Sequence, residues 1–128
     1  CVDRLVALLQ PQLAGRAILR VQGSIALSPR SEPQPDVAVL RWRDDFYAEE
    51  LPGPADVLLA VEVAEASADT DRDKTRAYGR AGIAQAWVVD LTAGRLEDSR
   101  TPTPDGYADR RNIRRETASS WRRCRASS

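Results

Sequence analysis

The chain contains no histidine, two cysteines and a single lysine, although charged residues make up 30% of its 128 residues. The absence of histidine excludes Ser-His-Asp triads, histidine general bases and most zinc sites. Cys1 and Cys124 lie near opposite ends of the chain and lack the close spacing of metal-binding or redox-active cysteines. Any catalytic chemistry must therefore come from carboxylates, lysine, arginine, tyrosine, serine or the backbone.

Long apolar runs are also missing, since none approaches the roughly 20 residues that a membrane-spanning helix requires. The early apolar stretch Leu5–Leu9 is short and is soon followed by Pro11, so it does not resemble a signal peptide. A chain of 128 residues is long enough for one small domain with a single core. These features predict a cytoplasmic domain that does not contact a membrane.

The 19 basic and 19 acidic residues cancel, so the net charge is no argument for or against a nucleic-acid partner. Seven arginines between positions 110 and 125 are opposed there only by Glu116. We expect residues 116–128 to form an irregular Arg/Ser-rich tail. Such a run is typical of a solvated tail, and phosphate binding is the alternative interpretation.

Of the 19 basic residues, 18 are arginine, and Lys74 is the exception. The excess of arginine and alanine is typical of a coding bias that replaces lysine wherever only a positive charge is needed. A surviving lysine is therefore a candidate for a position that needs a compact ammonium group. Survival by chance is the alternative.

The hydrophobic pattern alternates between strand-like and helix-like segments and predicts an α/β domain with one central mixed sheet. A short N-terminal helix, with Asp3 as its candidate cap, is followed later by a helix over Arg72–Ala81 that ends at Gly82. The candidate strands are Ala17–Gln22, Ser24–Leu27, Asp36–Arg41, Asp56–Val63, Ala84–Asp90, Arg95–Asp98 and Tyr107–Arg114. Asp56–Val63 lacks polar alternation before its end, which favours a central strand buried on both faces.

Two acidic residues stand at the ends of apolar strands. Glu62 ends the most apolar run, and a buried carboxylate costs several kcal/mol without a cation, a proton or several hydrogen bonds. Strand alternation puts Glu62 on one face with Leu58 and Ala60, and Asp36 on one face of its own strand with Ala38. If the two faces coincide, the carboxylates converge and require a divalent cation. Oxygen ligands without histidine or cysteine favour Mg²⁺ or Mn²⁺.

Each residue also has an ordinary structural interpretation. An aspartate after proline often belongs to a turn, and a helical lysine is usually solvated. A glutamate at a strand end can pair with arginine in a chain this rich in arginine. It is the arrangement of Asp36, Glu62 and Lys74 together that favours a functional site.

Five separated motifs resemble, in order, those of the Uma-two family of restriction endonucleases in the PD-(D/E)XK nuclease superfamily. They are Pro35-Asp36, Glu62-Val63-Ala64, Lys74 with Tyr78, Ala81-Gly82-Ile83 and Trp87-Val88-Val89-Asp90. The resemblance covers roughly residues 25–107 and implies a restriction-endonuclease-like mixed sheet flanked by helices. It also implies a bacterial protein that acts as a metal-dependent endonuclease on DNA. The nuclease domain is expected over residues 1–115, and the expected assembly is a homodimer.

The resemblance assigns roles to individual residues. It implies that Asp36 and Glu62 bind Mg²⁺ or Mn²⁺, with the backbone carbonyl of Val63 as a further ligand. Lys74 is implied as the catalytic lysine on the following helix, because Ala64 occupies the usual lysine position of the superfamily. The metal would lower the pKa of a bound water, while the ammonium positions that water and stabilises charge on phosphorus.

Three departures from the family pattern bear on activity. The Asp71–Lys74 interval is one residue shorter than usual, which would turn Lys74 by about 100° around its helix. Gln85 stands where an acid often occurs, and both ends of the chain differ from the family, as expected of a truncated or frameshifted product. The alternatives are an inactive nuclease-fold module that binds DNA or a protein partner, and a structural domain in which Glu62 pairs with arginine.

Overall fold

The computed structural model describes residues 6, 7, 9–11, 15–28, 30–64, 68–90 and 95–113, with only the backbone described for 68–72. These residues form one six-stranded sheet whose strand order follows the chain. Its strands are β1 (Ala17–Val21), β2 (Val37–Arg41), β3 (Val57–Ala64), β4 (Gln85–Asp90), β5 (Arg95–Thr103) and β6 (Gly106–Ile113). A long helix, α1 (Ala68–Ala81), connects β3 to β4, and a 3₁₀ turn, Pro54–Asp56, precedes β3.

The direction of the strands determines which residues share an edge of the sheet. β3 and β4 are parallel because α1 carries the chain back across the sheet between them. The other neighbouring pairs in the described sheet are antiparallel. The start of β2 therefore lies at the same edge as the carboxyl ends of β3 and β4.

Two apolar clusters cover the two faces of the sheet, so β3 is buried on both faces as predicted. The face packed by α1 carries Ile25, Ala38, Leu40, Tyr47, Val57, Ala60, Tyr78, Ile83, Ala86 and Tyr107. The opposite face carries Ala17, Val37, Val39, Leu59, Val61, Val89 and Leu96, against which Val6 and Leu9 pack. Burial of one large aliphatic side chain contributes about 1.5–3 kcal/mol, so both clusters stabilise the position of β3.

One predicted face assignment is wrong. Leu58 was expected beside Ala60 and Glu62, but it packs with the cluster on the opposite face. The pairing of β2 with β3 shifts register between Val39 and Leu40. An extra residue in one strand reverses the alternation on one side of the irregularity. The alternation from Ala60 to Glu62 lies beyond this point and keeps the predicted orientation.

The predicted strand Ser24–Leu27 is also wrong. This segment bonds instead to scattered carbonyl groups: the N–H of Ile25 donates to Pro33, and the N–H of Ala26 donates to Pro52. Proline lacks an N–H group and cannot return the second bond of a ladder pair. The prolines around this segment therefore convert an apolar run into an ordered loop.

The remaining predicted elements are present with shifted ends. Helix α1 begins at Ala68 rather than Arg72, and it ends before Gly82, whose φ of +95° suits glycine. Residues 6, 7 and 9–11 are helical, whereas Asp3 and the tail over 116–128 lie outside the described residues. None of the helices among the described residues is long and apolar enough to cross a membrane.

Candidate functional site

The register of β2 and β3 brings Asp36 beside Glu62. Ala38 pairs with Ala60, and both belong to the cluster on the α1 face, so the two predicted faces coincide. Continuing the same register by two residues sets Asp36 opposite Glu62. The Asp36 carboxylate also reaches β3, because its Oδ2 accepts a hydrogen bond of 2.7 Å from the N–H of Val63.

The backbone around Asp36 is held on both sides. Pro35 is fully buried, and its ring restricts the preceding chain to an extended conformation. The carbonyl of Asp36 accepts from the N–H of Gln22 at 3.0 Å, which continues the β1–β2 pairing by one step. The Asp36 side chain is therefore presented from a backbone with little freedom.

Glu62 is buried, with 2% of its surface exposed, and its two carboxylate oxygens meet different partners on α1. The hydroxyl of Tyr78 donates to Oε2 at 2.7 Å. The Nζ of Lys74 lies 3.4 Å from Oε1. Tyr78 is 1% exposed, whereas 47% of the Lys74 side chain is exposed. One oxygen thus contacts an interior hydroxyl and the other contacts a half-exposed ammonium.

Lys74 and Tyr78 reach the same carboxylate because of the orientation of α1 about its own axis. They are four residues apart and so lie on one face of the helix. A Cβ on Gly79 would lie 2.6 Å from the backbone of Gly106, so glycine allows α1 to pack closely against the start of β6. The rotation of Lys74 away from the site, expected from the short interval after residue 71, is not what the structure shows.

A cleft of about 340 Å³ opens beside α1 and the loop between β1 and β2. Its lining residues are Leu27, Ser31, Pro33, Asp73, Lys74, Ala77 and Tyr78. Lys74 and Tyr78, the two residues that contact the carboxylate of Glu62, both line this cleft. A ligand in the cleft would lie beside the half-exposed side chain of Lys74.

The oxygen atoms at this edge are suitable ligands for a small, hard cation. Among the described residues, no group of three or more Asp, Glu or Cys side chains is arranged to hold a metal ion. The edge offers two carboxylates and backbone carbonyls instead, and Mg²⁺ is commonly bound by one or two carboxylates while it keeps several waters. The N–H of Val63 faces the β2 side of β3, and strand geometry puts its carbonyl on that same side.

Another buried carboxylate, Asp98, lies on the opposite face of the sheet and has a structural role. It accepts hydrogen bonds from Gln85 at 2.9 Å, from Trp87 at 3.2 Å and from Arg100 at 3.0 Å. Gln85 and Trp87 join β4 to β5 through this carboxylate, and Arg100, in β5 itself, supplies the opposite charge. The departure from the family pattern at Gln85 therefore lies away from Glu62.

Tyr78 is the site residue that the sequence analysis missed. It occurred there only as part of a family motif, and its contact with Glu62 was not predicted. The available signal was its spacing from Lys74, since residues four apart on a helix reach the same neighbour. A buried carboxylate needs more than one donor, which makes such a neighbour a candidate partner.

Comparisons with known proteins identify the family and the fold. The family model named Uma2 and described as "Putative restriction endonuclease" matches residues 1–122. The fold is similar to that of a "putative nuclease belonging to DUF820" from Anabaena variabilis, with a TM-score of 0.63 and 15% sequence identity over 94% of this chain and 70% of that chain. No curated protein matches the sequence. Because the family model spans nearly the whole chain and the predicted mixed sheet is confirmed, the chain belongs to the Uma-two (Uma2) restriction endonuclease family.

Proposed function

We propose that this chain is a metal-dependent endonuclease that hydrolyses the phosphodiester bonds of DNA. The observation that carries the proposal is the environment of Glu62, a buried carboxylate in contact with the only lysine of the chain and next to Asp36. Its membership of a family described as restriction endonucleases supports the choice of substrate.

The energetic argument concerns why an acid occupies this position. If residue 62 served only to stabilise the core strand, an apolar residue would do so with a lower desolvation cost. A buried ion pair rarely stabilises the fold more than well-packed hydrophobic side chains do. A second carboxylate at the same edge increases the need for positive charge. Both features favour a cation-binding role over a structural one.

In the proposed site, Asp36 and Glu62 hold Mg²⁺ or Mn²⁺, and the carbonyl of Val63 completes the protein ligands. When bound, the metal supplies an activated water and stabilises negative charge on the phosphoryl group. Lys74 is the proposed catalytic lysine. Its ammonium can donate to the attacking water and to a phosphoryl oxygen, which positions the water and stabilises the charge that develops on phosphorus.

The cleft beside α1 is the proposed entry for the phosphodiester, because the exposed part of Lys74 borders it. An ammonium at the mouth of a cleft attracts phosphate and orients it before reaction. A homodimer, which we also propose, would set two such sites against the two strands of a duplex.

The proposal is tested by incubating supercoiled plasmid with the purified protein in Mg²⁺, in Mn²⁺ and in EDTA. We expect nicked or linear product with either metal and none in EDTA, and no product from Glu62→Gln. Metal-dependent DNA binding without cleavage would contradict the enzymatic proposal and favour an inactive module. Equal cleavage by the wild type and Glu62→Gln would mean that the activity does not belong to this site.

A further inference from the structure

The two oxygens of Glu62 are not equivalent. Oε2 accepts from the hydroxyl of Tyr78 at 2.7 Å, the length of a strong O–H···O bond. Oε1 lies 3.4 Å from the ammonium of Lys74, which is longer than the 2.7–2.9 Å of a tight charge-assisted bond. The interior hydroxyl thus holds Oε2 with a short hydrogen bond, while Oε1 faces the ammonium of Lys74.

This difference matters because the last torsion of a glutamate has no sharp preference. Rotation about that bond is broad and roughly two-fold, so burial alone does not decide where each oxygen points. A fixed donor is needed to hold the carboxylate plane. Tyr78 is itself fixed, since it is 1% exposed and lies within the cluster that packs α1 against the sheet.

We propose that Tyr78 is a positioning residue that holds Oε2 of Glu62 in the interior and so orients Oε1 toward the cation of the site. The inference rests on the proposed function, because it gives a reason for the orientation of a metal ligand. Hydrogen bonds to a ligating carboxylate from outside the ligand set commonly tune metal affinity in this way. Lys74, at the same Oε1, then neutralises the carboxylate when no metal is bound.

The chain supplies a matched control for this inference. All three of its tyrosines are buried, and each donates a hydroxyl hydrogen bond of 2.7 Å. Tyr107 belongs to the same apolar cluster as Tyr78, but it donates to the backbone carbonyl of Ile83 rather than to a carboxylate. Phenylalanine at either position removes one oxygen and leaves the ring.

The experiment compares wild type, Tyr78→Phe and Tyr107→Phe by Mn²⁺ titration, using calorimetry and thermal unfolding, with no DNA present. We expect Mn²⁺ to bind Tyr78→Phe about 10- to 100-fold more weakly, the usual effect of losing a partner that orients a metal ligand. Tyr107→Phe should bind Mn²⁺ like wild type even though its melting temperature in EDTA also falls. In plasmid cleavage, Tyr78→Phe should lose kcat while KM for DNA is unchanged, and excess Mn²⁺ should recover part of the rate.

The outcomes separate this inference from the proposed function. Equal Mn²⁺ affinity in Tyr78→Phe and wild type would overturn the positioning role and leave the metal site in place. A wild-type protein without any response to Mn²⁺ or Mg²⁺ would overturn the proposed function and the inference with it.

A folding failure of Tyr78→Phe has its own test. In Tyr78→Phe the carboxylate would be buried without its interior donor, so combining this change with Glu62→Gln should restore folding if the hydroxyl acts through Glu62. A double variant that is as unstable as Tyr78→Phe alone would refute the proposed link between the two residues.

Discussion

Glu62→Gln removes one charge from the interior while keeping the size of the side chain. The loss of the ion pair with the half-exposed Lys74 costs about 0.2–1 kcal/mol, the usual range for a solvent-accessible pair. The bond from Tyr78 changes from a charged to a neutral acceptor, a loss of about 1 kcal/mol. Relief of the desolvation of a buried charge acts in the opposite direction and amounts to several kcal/mol. In EDTA, we therefore expect Glu62→Gln to be as stable as wild type or more stable.

With metal present, the order should reverse. A ligand at 100 times its dissociation constant stabilises the folded state by about 2.7 kcal/mol. At about 4 °C per kcal/mol for a domain of this size, the wild type should gain about 10 °C in melting temperature. Glu62→Gln should gain almost nothing, because one of the two proposed carboxylate ligands is gone.

Thermal unfolding in EDTA and in Mn²⁺ checks both halves of this prediction, and Glu97→Gln is the matched control. Glu97 is also a buried glutamate, 8% exposed, and it lies in the same row of the sheet because Val88 pairs with both Glu62 and Glu97. Its carboxylate lies 3.7 Å from Arg110 and is not one of the proposed metal ligands. Glu97→Gln should therefore keep the full increase in melting temperature on addition of metal. Strong destabilisation of Glu62→Gln, with no metal response in the wild type, would refute the cation-binding argument and support a structural ion pair.

Three further predictions concern α1 and its surroundings. Lys74→Arg should lose about 100-fold in cleavage rate but keep its Mn²⁺ affinity in titration, because a planar guanidinium cannot replace the ammonium donor; full activity would leave only a charge effect. Gly79→Ala should lower the free energy of unfolding in urea by about 1–3 kcal/mol, since its Cβ would meet the Gly106 backbone at 2.6 Å; unchanged stability would contradict the close packing. Burial raises the pKa of the Tyr107 hydroxyl above its ordinary value of 10.0, so the stability that this shift contributes is complete below that pH and is lost progressively above it; the stability of Tyr107→Phe should therefore depend less on pH between about 10 and 12, and an identical pH profile would contradict it.

Several features of the fold were predictable because they depend on local patterns. The continuous apolar run before Glu62 predicted a strand buried on both faces, and β3 has this environment. The helix between two apolar runs was also predicted, whereas the parallel pairing of β3 with β4 that it connects was not. The effect of prolines on a neighbouring apolar segment was harder to predict, because it depends on which distant segment supplies the hydrogen-bond partners. Ser24–Leu27 has the composition of a strand, but its bonding partners come from two other segments.

For the candidate site, the composition of the chain indicated which types of side chain could take part. Without histidine, a cation site would use oxygen ligands, and the motifs selected Asp36 and Glu62 from the 19 acidic residues and Lys74 as the single lysine. The roles of these residues as metal ligands and catalytic lysine stay predictions. Their proximity is a property of the structure, in the contacts of Lys74 with Glu62 and of Asp36 with Val63.

The sequence by itself determined the apolar strands, the order of the elements and the types of side chain available for a site. Hydrophobicity and side-chain chemistry are properties of single residues and short segments. Only the tertiary structure decided that Tyr78 and Lys74 meet different oxygens of Glu62. It also decided that Leu58 lies on the opposite face. Strand register and helix rotation depend on contacts between distant segments, such as the close approach of Gly79 to the start of β6, and a one-residue shift in either reverses which side chains meet.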